Sequence, residues 1–254
     1  IGALIFLGCP IRMILRLGGG DLNALFGIAG FAGGIGFGTI FLKRGYSLQR
    51  TYALSKLESA MMPAIQVGLL VLVVTAPAFI FFSQKGPGAM HAPWLISLAA
   101  GLVVGGLSQV SRLCTVGGFR DLFLFKKSIL IFGYLAVLIG VFVVNISFGN
   151  FHLGFENQPI AHTDGLWNFL GMALAGFCSV LLGGCPLRQL IMTGEGNSDS
   201  AVTVLGLAAG AAFAHNFGLA ASGAGPTLNG QIAVGVGFVV ALIIAILNTK
   251  RANA

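Results

Sequence analysis

Gly8-Cys9-Pro10-Ile11-Arg12 and Gly184-Cys185-Pro186-Leu187-Arg188 are one pattern written twice, 176 positions apart in a chain of 254 residues. Each copy closes an apolar stretch and continues through a short segment, Met13-Ile14-Leu15 or Gln189-Leu190-Ile191-Met192. Each then meets a Gly-rich polar run, Gly18-Gly19-Gly20-Asp21 or Thr193-Gly194-Glu195-Gly196. Proline at the first helical position starts a helix without sacrificing a hydrogen bond, so each Cys-Pro step predicts a helix broken at the cysteine. Duplicated broken helices in an apolar chain point to a transport pathway.

The chain is apolar enough for that reading. Hydrophobic residues make up 56% and charged residues only 8%, against about a quarter charged in soluble domains, and mean hydropathy is +0.94. This predicts an all-α, polytopic helical membrane protein with inverted repeats and broken or re-entrant helices. Runs long enough to cross about 30 Å of hydrocarbon lie near 23–43, 58–82, 94–112, 128–148, 165–183, 201–220 and 231–249, seven spans, with the end of another at 1–8. Glycines stud several of them. Gly30, Gly34 and Gly38 have the GxxxG spacing that lets membrane helices approach closely, so packing accounts for most of the glycine content.

Net charge is +7, which in such a chain reports orientation rather than nucleic-acid binding. Lys43, Arg44, Arg50 and Lys56, then Arg112, Arg120, Lys126 and Lys127, then Lys250 and Arg251, fall on one side if spans alternate. That side is the cytoplasm by the positive-inside rule, which predicts a cytoplasmic C-terminus. The loops 83–93, 149–164 and 221–230 hold only Lys85 and read as external. Arg12 and Arg16, in the hairpin expected to enter from outside, are the main exception.

Five spans separate the two Gly-Cys-Pro copies, an odd number, so the copies point in opposite directions. Residues 1–85 then form a first inverted repeat and 93–254 a second, within one membrane-embedded domain. The first residue is Ile, and Cys9 has only eight residues before it, whereas Cys185 ends a complete span. The expectation is an absent N-terminal segment of roughly two spans, including a counterpart of Cys114. No signal peptide is visible at 1–8. In transporters of this design, half-helix ends and unpaired backbone groups meet near the midplane and bind the substrate.

Cys9, Cys114 and Cys185 each sit where an apolar stretch stops, with Arg12, Arg120 and Arg188 three or six residues on. A thiol is a weak donor and a polarizable acceptor, while helix N-termini and guanidinium groups attract negative charge. Together they suit a lightly held, soft, sulfur-bearing anion. A lone membrane cysteine is more often a small buried apolar residue. That reading holds for Cys178, although it lies two helical turns before Cys185 on nearly the same face and so also suits the route. For the other three the repetition argues against it. Gly8, Pro10, Gly184 and Pro186 would shape the breaks.

Other chemistries lack their signatures. There is no C-x-x-C dithiol, no Cys/His zinc spacing, no G-x-x-x-x-G-K-[ST] phosphate loop and no cofactor motif. His91, His152 and His162 fall in loops and read as solvated. His215-Asn216, within a span, suits either function or a helix-helix hydrogen bond. Met61-Met62-Pro63 reads as core packing before a thioether lining. Glu195 and Asp199 read as caps of the helix beginning near 201.

The two Gly-Cys-Pro-x-Arg motifs and Arg112-Leu113-Cys114-Thr115-Val116-Gly117-Gly118-Phe119-Arg120-Asp121 resemble the YeeE/YedE family of sulfur-transport membrane proteins. Leu7 to Gly45, with Arg16-Leu17-Gly18-Gly19-Gly20-Asp21-Leu22-Asn23, is similar to the YedE branch associated with selenium metabolism. The resemblance implies a transporter rather than an enzyme, in a bacterial inner membrane, hourglass-shaped with opposed loops at its waist. It also implies a thiosulfate-like or selenium-containing anion handed along Cys9, Cys114 and Cys185 by weak S–H···S contacts. The chain departs from the thiosulfate transporters in placing its third motif cysteine in the second repeat. The implied partners are that small anion, the lipid bilayer and a cytoplasmic sulfur- or selenium-carrier protein. Two other readings stay open: a sulfurtransferase or relay partner that forms a persulfide on Cys185, and a passive channel or scaffold.

Overall fold

A computed structural model describes residues 1–48, 56–76 and 92–249, with 79, 84 and 89. His91, Lys85, Arg50, Lys250 and Arg251 lie outside the described residues, as does most of the 77–91 loop. Eleven helices follow one another among the described residues: α1 (Gly2–Phe6), α2 (Pro10–Gly18), α3 (Asn23–Lys43), α4 (Lys56–Thr75), α5 (Trp94–Ser111), α6 (Thr115–Phe125), α7 (Ile129–Ser147), α8 (Gly165–Leu181), α9 (Pro186–Gly194), α10 (Ser198–Asn216) and α11 (Leu228–Leu247). No strand occurs among them, so hydrogen bonds within helices satisfy most backbone polar groups of the spans, as a bilayer requires.

Each apolar run read from the sequence contains a helix among the described residues. Among the described residues, five helical segments are long and apolar enough to cross a membrane: Asn23–Lys43, Trp94–Phe125, Ile129–Ser147, Gly165–Gly194 and Leu228–Leu247. The chain is an all-α, multi-pass membrane protein. The expected runs 58–82 and 201–220 are not among the five. The first is a shorter apolar helix, Ala60–Thr75, among the described residues. The second, α10, carries Ser198, Asp199, Ser200, Thr203, His215 and Asn216, which dilute its hydropathy. The segments 94–125 and 165–194 contain the breaks at Cys114 and Cys185.

Two compact units divide the chain. One comprises Ile1–Arg50, Leu113–Arg188 and Leu205–Ala254, the other Thr51–Arg112 and Gln189–Val204. The first is organised by α3 lying along α8. A Cβ at Gly30 would strike the Phe169 carbonyl and one at Gly34 the Ala173 carbonyl, so only glycine admits this backbone-to-backbone approach. Around that seam α1 and α11 pack on α8, while α2 and α6 pack on α3 and α7. Phe6, Met13, Ile14, Phe31, Ile35, Val116, Met172, Val180 and Cys185 form one buried cluster. On α7, Ile129, Phe132, Ile139 and Val143 are exposed while Tyr134 faces that cluster, the pattern of a helix with one lipid-facing side.

The loop after α7 is pinned over the α2–α3 turn. His152 and Gly154 donate their N–H groups to the Gly19 and Gly20 carbonyls, Leu22 donates to the Gly154 carbonyl, and the Asn23 side chain donates to the Phe155 carbonyl. In the second unit, Leu102, Val103, Leu107 and Val110 on α5 and Met61 on α4 are exposed. Met61 is therefore not core, as its position in the sequence had suggested. The start of α10 also differs from expectation. Asn197 accepts from the Ser200 N–H at 2.9 Å and is the cap, whereas Asp199 lies in the first turn and Glu195 in the preceding one.

Candidate functional site

All three motif cysteines precede short helices, and each is reached by the same backbone move. Leu7, Arg112 and Gly183, each two residues before a cysteine, have positive φ of 61°, 51° and 83°. A left-handed residue ends a helix, and the cysteine then begins the next. Cys9 and Cys114 have extended backbone at the N-caps of α2 and α6, and Pro10 and Pro186 are the first residues of α2 and α9. In both Gly-Cys-Pro copies the glycine N–H closes the preceding helix: Gly8 donates to the Ala3 carbonyl at 2.8 Å and Gly184 to the Ser179 carbonyl at 3.0 Å. Gly8 has a further duty, because a Cβ there would displace the aliphatic stem of Arg12, which folds back over the break.

The cysteines differ in what their sulfurs touch. Cys114 Sγ accepts from the Gly117 N–H at 3.3 Å, an N-cap made by a thiol. Cys185 is 1% exposed, and its sulfur lies within hydrogen-bonding reach of the Cys114 thiol and of the Thr115 and Arg188 N–H groups, with the Thr115 hydroxyl close by but not in hydrogen-bonding geometry. The N-termini of α6 and α9 therefore converge on a pair of thiols that are 71 positions apart in the chain. Cys9 makes no side-chain cap bond and is half-buried.

Helix α8 ends at Leu181, so Cys178 does not share a helical face with Cys185. Cys178 instead lines a cavity of about 860 Å³, with Pro10, Pro186, Leu174, Phe213 and Ile232 among its other walls. Those walls are mainly apolar, with Ser179 and Asn229 as polar exceptions, and Cys9, Cys114 and Cys185 are not part of them. An unpaired anion has no reason to enter such a space.

The arginines divide in the same way. Arg16 is buried, its Nε donating to Asp21 at 2.6 Å, its Nη1 donating to the Phe6 carbonyl, and its guanidinium lying 4.1 Å over the Phe6 ring. The apparent exception to the positive-inside pattern is thus a structural clamp at this residue. Arg12 is different, because among the described residues it has no acidic partner like Asp21, and its Nε is buried without a hydrogen bond. Arg120 is half-buried and pairs with its neighbour Asp121 at 2.9 Å, which takes up part of its charge. Arg188 contributes its backbone N–H to the Cys185 sulfur.

At the first break the freed carbonyls are already taken. Those of Ala3, Leu4, Ile5 and Phe6 accept from Gly8, Ala221, His162 and Arg16 respectively, which accounts for all four orphans at the end of α1. None of the four is left for a substrate, and the helix N-termini carry the available polarity. His162 is consequently buried, 2% exposed, with its Nε2 2.8 Å from the Ile5 oxygen. It is not the solvated loop histidine that its position in the sequence suggested. Asn168 donates to the His162 carbonyl and helps hold it. Asn216 donates back to Ala212 within its own helix, and His215 is exposed.

Sequence reading missed Thr115 and Tyr134, whose hydroxyls are buried without partners in the structure. Thr115 directly follows Cys114, and its place beside a motif cysteine was the available signal. Nothing marked Tyr134 within an apolar helix except its hydroxyl. No group of three or more potential metal ligands occurs among the described residues.

Broken membrane helices whose N-termini gather cysteine thiols define a multi-pass helical membrane protein with cysteines at its helix breaks. A family model described as sulphur transport matches residues 110–250, more than half of the chain, and the chain belongs to that family. The matched region includes Cys114, Cys178 and Cys185, while Cys9 lies outside it. No curated protein and no solved structure matches the chain.

Proposed function

We propose that the protein moves a small sulfur- or selenium-containing anion of the thiosulfate type across a bacterial inner membrane, with Cys9, Cys114 and Cys185 as successive contacts. The convergence of the Cys114 and Cys185 thiols at two helix N-termini carries this reading. A sulfur between backbone N–H donors sits where a soft anion would be stabilised, and a thiol is lightly hydrated enough to release it. Residues 1–85 and 93–254 are proposed as inverted repeats, supported by the odd number of apolar runs between the two copies and by their matching turns.

With Cys185 buried against Cys114, the route is closed at the pair, so passage requires the two breaks to part. Arg12, with its unpartnered Nε, is proposed as the attracting charge on the outer side, and Arg120 and Arg188 as groups toward the inner exit. The C-terminus is proposed as cytoplasmic, where a sulfur- or selenium-carrier protein would receive the ion. Selenium handling, suggested by the stretch from Leu7 to Gly45, is part of the same proposal. A persulfide relay on Cys185 is less favoured, because a sulfur on a residue 1% exposed is out of a carrier protein's reach.

The test is uptake of labelled thiosulfate and of selenium analogues into cells expressing the chain, with and without Cys9→Ala plus Cys185→Ala. The double variant is expected to insert normally and to lose uptake. Unchanged uptake would refute the thiol route.

A further inference from the structure

Thr115 is the first residue of α6, follows Cys114, lies beside the Cys185 sulfur, and is 1% exposed. Its hydroxyl oxygen has no hydrogen-bond partner of good geometry. A buried hydroxyl without a partner costs free energy in this state, so its retention points to a ligand that accepts from it at another stage of the working cycle. Threonine is also a poor choice for a helix start if only packing mattered, since valine has the same shape and no polar atom. A second hydroxyl, that of Tyr134, is buried without a partner in the same cluster. The Tyr134 ring packs edge-on against Phe119, one helical turn beyond Thr115.

Resting on the transport reading, we infer that the Thr115 hydroxyl is a specificity-determining ligand: it donates to an oxygen of the anion when the anion's soft atom lies at the Cys114 and Cys185 thiols. The site then recognises two ends of one substrate. A terminal sulfur or selenium meets the thiols, which are weak donors suited to a diffuse charge. An oxygen-bearing head meets the Thr115 hydroxyl, a stronger donor suited to a hard charge. An oxygen-free ion such as hydrosulfide satisfies only the first half. Sulfate satisfies only the second.

The test uses the full chain with Thr115→Val, which keeps the shape and removes the hydroxyl, and Thr115→Ser, which keeps the hydroxyl. Thr115→Val is expected to lower uptake of labelled thiosulfate at subsaturating concentration by roughly tenfold or more, the worth of a hydrogen bond to a charged group. Thr115→Ser should stay within about twofold. In detergent, thiosulfate should slow maleimide labelling of Cys114 and Cys185 in the wild type and in Thr115→Ser but not in Thr115→Val. If Thr115→Val does not reach the membrane, Thr115→Ala replaces it in both assays. Wild-type uptake and protection in a hydroxyl-free variant would overturn the role of Thr115 and leave the transport reading standing. Absence of thiosulfate uptake and protection in the wild type would overturn both.

Discussion

The two Gly-Cys-Pro segments share a backbone almost bond for bond and part company in their surroundings. At positions 176 apart, Gly19 and Glu195 donate to Leu15 and Ile191, Gly20 and Gly196 donate to Leu17 and Thr193, and Asp21 and Asn197 donate to Arg16 and Met192. Gly20 and Gly196 both have positive φ, 99° and 87°. Asp21 and Asn197 then each accept an N–H at the start of the following helix, from Asn23 and from Ser200. The side chains that this shared backbone presents are not equivalent. The first copy holds a buried ion pair, Arg16 with Asp21, where the second has the neutral Met192 and Asn197. The first copy leaves its thiol uncapped, while the second sets Cys185 against another thiol and two helix N-termini. A repeated backbone therefore makes the break twice, and non-repeated side chains turn one break into a clamp and the other into a chemical site.

The sharpest way to break this comparison is to give the first copy the second copy's residues. Asp21→Asn strands the buried Arg16 charge and is expected to cost about 3–5 kcal/mol, read as a lower unfolding temperature of the purified protein in detergent. Adding Arg16→Met, the residue at the matching position of the second copy, should restore most of that loss. If the single variant unfolds like the wild type, the clamp does not exist.

A smaller effect is expected at the end of α1. His162→Leu leaves the Ile5 carbonyl buried without its donor, and about 1–3 kcal/mol of stability should go with it, by the same measurement. An unshifted unfolding temperature would mean that the break tolerates an unsatisfied carbonyl, and that the first copy resembles an open substrate site more than the structure indicates. The smallest effect belongs to the second copy's cap. Asn197→Ala should cost about 1 kcal/mol, well below Asp21→Asn at the matching position, because Asn197 holds an N–H where Asp21 also holds a buried cation. Equal losses at the two positions would erase the distinction drawn here.

Much of this architecture was legible in the sequence because its causes are local. A Cys-Pro step after an apolar run, with a glycine to close the helix before it, involves hydrogen bonds within five residues, and the breaks at Cys9 and Cys185 fall where those residues put them. Glycines at Gly30 and Gly34 announced a close helix seam, though not that α8 would fill it. Charge was misread wherever the partner was remote or the loop folded inward. His162 is 157 positions from the carbonyl it binds, and no local pattern distinguishes it from a solvated loop residue.

By itself the sequence determined the apolar spans, the three cysteine-bearing breaks and the repeat that relates two of them, since these follow from hydropathy, proline geometry and short-range hydrogen bonds. Only the tertiary structure decided which thiols meet, that Arg16 is neutralised while the Arg12 Nε is left without a partner, and that an unpartnered Thr115 hydroxyl faces Cys185. Those outcomes depend on where α3, α6 and α8 come to rest against one another. That packing is set by close-fitting surfaces distributed along the whole chain, which no single stretch of sequence contains.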